Sequence, residues 1–161
     1  MQPLRYLFAI AICTTASSLS FADTPQEIIS KLTGRWTIDA GVNQGVTVPE
    51  SRLDGIYTVI TRDTIVSYDR EKNETYRAKY TLNTAADPVQ IDMVSVQDGN
   101  ETKALGIIGF EWINLDGVKE LTLVYSLNPG ERPAEFESPE GSKIMLFEMH
   151  EAVSTTAIAD R

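Results

Sequence analysis

Side chains able to do chemistry are few in this chain. His150 is the only histidine and Cys13 the only cysteine, so the residues supply no Ser–His–Asp arrangement and no cluster of soft metal ligands. Asp98, Asn100 and Glu101 around Gly99 loosely match a calcium loop, but the terminal bidentate acid is missing and the spacing suits a hairpin turn better. The remaining catalytic option is a carboxylate pair, Asp92 with Glu111, each flanked by apolar residues on a predicted strand, where burial would raise the pKa of one member and leave the other ionised. No nucleophile–base pair or phosphate loop can be assembled, so the expectation is a protein that is not an enzyme and takes no cofactor and no metal.

Binding groups are more numerous. Trp36, Tyr76, Tyr80 and Tyr125 are candidate ligand contacts, with Phe110 and Trp112 as further aromatic lining. Arg132 is the candidate polar contact, because a guanidinium can grip a carboxylate through two parallel N–H groups; pairing with a carboxylate of the chain itself is its structural role. The formal charge of −9, from 23 acids and 14 Lys plus Arg, lacks the basic footprint that phosphate neutralisation requires, which excludes nucleic acid and anionic membrane surfaces as partners. A small apolar or amphipathic ligand is the expected partner. The alternative is a protein partner, met by the surface of a molecule whose interior is filled.

The elements that must position these residues follow from periodicity. At 161 residues and 42% hydrophobic composition, the chain has room for one domain, spanning residues 23–153, with a small polar tail at 154–161. Residues 24–32 read as a short amphipathic helix: Thr24 as N-cap, Pro25 in the first turn, Glu27 three residues past the cap, and Ile28, Ile29 and Leu32 on one side. Beyond Gly34 the apolar period becomes two, and eight strands are predicted at 35–40, 55–61, 64–69, 75–82, 89–96, 104–114, 120–127 and 143–150.

No helical crossover separates these strands, so the sheet must be antiparallel, and eight strands can close into a barrel with room for one small ligand. A half-open sandwich is the structural alternative. Inward positions are expected at Tyr57, Val59, Tyr76, Tyr80, Ile91, Met93, Leu123 and Tyr125. Two connections, 41–52 and 128–142, are long enough to carry function or cover an opening. If the inward residues leave a pocket on the order of 300 Å³ or more open beneath 128–142, that loop is expected to be a lid and Arg132 its polar contact.

Residues 1–22 read as a secretory signal peptide, with a positive start ending at Arg5, an apolar run from Tyr6 to Cys13 and a small-residue close at Ser20-Phe21-Ala22. The run is shorter than the ~20 residues of a spanning helix. Ile12 before Cys13 does not suit lipoprotein processing. An exported, periplasmic or secreted domain is thus expected, with no membrane attachment after cleavage and no cysteine for a disulfide.

Gly34-Arg35-Trp36 at the first strand is similar to the Gly-x-Trp signature of lipocalin and calycin barrels. From Leu32 to about Glu151 the chain resembles the lipocalin-like domain family of unknown function that is abundant in exported planctomycete proteins. The marks are Leu32-x-Gly34-x-Trp36, Val48-Pro49, Pro88-x-x-Ile91-Asp92, Gly106-Ile107, Leu121-x-Leu123 and the block Gly130-Glu131-Arg132-Pro133-x-x-Phe136-x-Ser138. Departures fall at Val124, Ile108 and His150-Glu151, so of the family's basic residues only Arg132 carries over. The resemblance implies an antiparallel eight-stranded lipocalin-like barrel with a short N-terminal helix, in which Trp36 closes the floor, and it implies no reaction.

Overall fold

The computed structural model describes residues 24–97, 99–113 and 118–152. The signal peptide and tail expectations lie outside the described residues, as do Asp98 and the side chain of Trp112. Helix α1 (Pro25–Leu32) begins with a complete capping box. The backbone N–H of Glu27 donates to Thr24 Oγ1, and Glu27 Oε2 accepts from the Thr24 N–H at 2.7 Å. Its apolar side buries Ile28 and Leu32.

The strands are β1 (Gly34–Asn43), β2 (Val46–Thr47), β3 (Tyr57–Ile60), β4 (Thr64–Tyr68), β5 (Glu74–Asn83), β6 (Val89–Gln97), β7 (Asn100–Ile113), β8 (Val118–Ser126) and β9 (Ile144–Glu151). They pair antiparallel in the order β2-β1-β3-β4-β5-β6-β7-β8-β9, and β9 pairs back onto β1, which closes an eight-stranded barrel. Closure leaves no long free edge, and β2 is a two-residue hairpin return on β1. A half-open sandwich is therefore excluded. The 41–52 segment is less irregular than its polar composition suggests: β1 runs on to Asn43, β2 follows, and a one-turn helix α2 (Glu50–Leu53) ends it.

A bulge between Ile38 and Ala40 changes the side-chain phase along β1. Trp36 and Ile38 join the interior before it; after it Asn43 faces the interior while Val42 packs on the outer wall with Ile107, Val124, Leu146 and Ile144. This outer apolar group, with Val124 and Leu146 buried, explains the course of residues 128–142. That connection crosses the outside of the barrel as a strap. Phe136 rests against the backbone of Gly109, where an added Cβ would come within 3.0 Å of its ring. The strap's far end meets the β1–β2 turn: Gly45 N–H donates to Ser138 Oγ at 3.2 Å, and Ser138 Oγ donates to the Ile144 carbonyl at 2.7 Å. The expected lid over the opening is therefore corrected to a clamp on the outer wall, placed there because Val124 and Leu146 need cover from water.

Candidate functional site

Packing divides the interior in two. At the α1 end, Leu32, Trp36, Ile60, Tyr80, Ile91, Ile108 and Leu121 form a solid floor. Trp36 is fully buried, and its indole N–H donates to the Leu32 carbonyl at 2.8 Å, which satisfies one orphan carbonyl at the helix end. The Tyr80 hydroxyl donates to the Thr61 carbonyl at 2.7 Å. Burial, with the charge of Asp63 adding to it, pushes Tyr80 up to about 12. Trp36 and Tyr80 thus belong to the floor rather than to a ligand site, and Phe110 packs with the same cluster.

The opposite half is open. A cavity of about 410 Å³ lies there, walled by Ile38, Ile60, Ile65, Leu123, Phe147 and their neighbours. Met93, Met145 and Met149 all reach it, so every methionine of the chain except Met1 lines this one space. Unbranched thioether chains repack easily around differently shaped apolar surfaces. The mouth is bordered by Val48, Arg52, Leu53 and Ile56. Of the two long connections, the first is the one that covers the opening. The C-cap of α2, Asp54, is tied to Arg70, which pairs with its Oδ2 at 2.7 Å and donates to its carbonyl.

Polar groups in the wall are sparse and placed. Thr58 Oγ1 and Ser67 Oγ share a hydrogen bond of 3.0 Å. Tyr76 and Tyr125 both line the cavity. Burial pushes Tyr125 up to about 12, with the neighbouring Tyr76 adding to it, and burial raises Tyr76 against the opposing effect of its hydrogen bond with Ser95. Both phenols are thus neutral hydrogen-bond donors at any physiological pH. Of the candidate contacts read from the sequence, the fold brings Tyr76 and Tyr125 together at the cavity and sends Trp36, Tyr80 and Arg132 elsewhere.

Arg132 lies on the outer wall. Its Nη1 donates to the carbonyls of Gly106 (2.6 Å) and Ile91 (3.1 Å), and its Nη2 pairs with Asp92 Oδ1. This corrects two expectations, since the 128–142 loop does not bring Arg132 to the cavity and Asp92 is an exposed outer residue rather than half of an interior acid pair. Glu111 is exposed as well. In β3 the expected inward residues Tyr57 and Val59 are also corrected: Thr58 and Ile60 face the cavity, while Tyr57 stacks on Tyr68 at 5.1 Å and carries Arg35 over its ring at 3.8 Å. A one-residue change of phase moves every side chain to the other face, and in a four-residue strand of mixed polarity the alternation does not choose between the faces. His150 pairs with Asp39 at the β1 bulge, Nδ1 to Oδ2 at 2.7 Å. Among the described residues no group of three or more His, Cys, Asp or Glu could hold a metal ion.

Arg52, Asn43, Met145 and Leu53 were not legible as site residues. For Arg52 and Leu53 the only sequence signal is the Pro49-Glu50 helix start within the 41–52 connection, and a single turn is too short to display a helical period, while Asn43 and Met145 lie on β1 and β9, where alternation alone does not choose the inner face. Comparisons with models of protein families, with curated proteins and with solved structures each returned no match.

Proposed function

We propose that this protein is an exported binding module that holds one small apolar or amphipathic molecule inside its barrel, and that it belongs to the lipocalin-like family its motifs resemble. The observation that supports the ligand is the open half of the interior, a space of about 410 Å³ walled by aliphatic, aromatic and methionine side chains. That size and lining suit a small organic molecule. Export rests on the signal-peptide pattern of residues 1–22.

The test is uptake of N-phenyl-1-naphthylamine, an apolar fluorophore that brightens on leaving water, together with native mass spectrometry of protein purified from its own periplasm. Met145→Trp, which adds bulk at the cavity wall, should abolish uptake while preserving the β-sheet circular dichroism of the parent. A parent protein that takes up no fluorophore and carries no co-purified molecule would overturn the binding role.

A further inference from the structure

We infer that the occupant is a single-chain amphipathic monoanion with a carboxylate head, seated with that head at Arg52 and its apolar chain among Met93, Met145 and Met149. This rests on the cavity being a ligand site and names the class of ligand it takes.

Charge on the wall carries the argument. The chain has 23 acids against 14 Lys plus Arg, yet among the described residues none that lines the cavity is acidic, and the one ionic side chain there is Arg52. Arg52 is exposed at the mouth, on α2. Among the described residues it makes no ion pair, whereas Arg70, Arg77 and Arg132 each hold a carboxylate. A guanidinium at the mouth of an apolar cavity, with its donors unspent, is complementary to an acceptor-only head group and repels an ammonium. Farther along the wall, the Tyr125 hydroxyl takes no hydrogen bond among the described residues and is held neutral by burial. It is a second donor facing the occupant.

The position of Arg52 sets the orientation. Its neighbours at the mouth are Asn43, Val48 and Leu53, while the opposite end of the interior is the packed floor around Trp36. An apolar chain entering past α2 therefore meets mainly hydrocarbon, thioether and ring surface beyond the head, with the Thr58, Ser67, Tyr76 and Tyr125 hydroxyls as the polar points on the wall, and the head stays where water still reaches it. That arrangement avoids the cost of burying a charge.

The experiment measures displacement of N-phenyl-1-naphthylamine by dodecanoate, dodecanol and dodecylamine, all below their micelle concentrations, from the full chain and from Arg52→Gln and Arg52→Lys. Arg52 is exposed, so neither substitution threatens the fold, and melting curves check this. The expected result is that Arg52→Gln weakens dodecanoate roughly five- to tenfold, the effect of one partly exposed charge-assisted contact. Dodecanol should be unchanged, and Arg52→Lys should retain most of the dodecanoate affinity. Equal loss for dodecanoate and dodecanol, no loss for either, or tightest binding of dodecylamine would overturn the head-group assignment while leaving the apolar cavity as a binding site. A parent that takes up no fluorophore overturns both.

Discussion

Arg132 Nη1 donates to the Gly106 carbonyl at 2.6 Å on the outer wall of the barrel, the side away from the cavity. Ile91 and Gly106 face each other across β6 and β7, and the same nitrogen reaches both of their carbonyls. Of the two roles open to Arg132, ligand contact and structural pairing, the second is the one it takes, as a rivet for the strap. Arg132→Met keeps most of the side-chain bulk and removes the donors, so it should cost about 1–3 kcal/mol in urea unfolding, the range for lost hydrogen bonds to a charged group. Fluorophore uptake should be unchanged; a variant of parental stability that fails to bind would place Arg132 in the site after all.

Gly45 should be the most sensitive glycine of the strap contact. Its φ is +84°, and a Cβ there would come within 2.3 Å of Glu140 Cα, which is backbone and has no rotamer to yield. Gly45→Ala must therefore lift residues 138–142 from the β1–β2 turn. Limited proteolysis should show faster cleavage within residues 128–142 of the variant, and equal rates would mean that the strap is held elsewhere.

Trp36 couples helix to barrel through two separable effects, fully buried ring surface and the N–H to the Leu32 carbonyl. Trp36→Ala should cost about 3–5 kcal/mol, most or all of the stability of an ordinary domain. Trp36→Phe keeps much of the packing but orphans the carbonyl, and should cost less than Trp36→Ala. Chemical denaturation of the two variants separates the contributions, and equal losses would make the hydrogen bond the dominant part.

Tyrosine ionisation should limit stability at high pH. Tyr80 and Tyr125 are held at about 12 in the fold against an ordinary value of 10.0, so between these values the unfolded chain has lost protons that the folded chain still binds. Unfolding is then favoured progressively as pH rises from about 10 to about 12, and neither residue contributes to pH dependence below that window. Melting temperature followed across this range should fall less steeply for Tyr125→Phe than for the parent. An identical slope would show that the Tyr125 hydroxyl is not desolvated.

Sequence alone determined what depends on neighbours along the chain. The Thr24–Glu27 capping box, the alternation of Tyr76, Ala78, Tyr80 and Leu82 in β5, and the short turns between successive strands each act over a few residues. Together they dictated an N-terminal helix followed by an antiparallel sheet, and closure of that sheet into a barrel was decided by the pairing of β9 with β1. Tertiary structure decided which face of each strand is the inside, because that choice is made by partners on other strands: Thr58 turns inward to meet Ser67 of the neighbouring strand, and the β1 bulge sends Val42 outward to Val124 and Leu146, far away in sequence. The same holds for the two long connections, whose lengths and polarity are alike. One crosses the wall because exposed aliphatic surface on β7, β8 and β9 has to be covered, and the other is left at the mouth with Arg52, a position that exists only once β9 has closed onto β1.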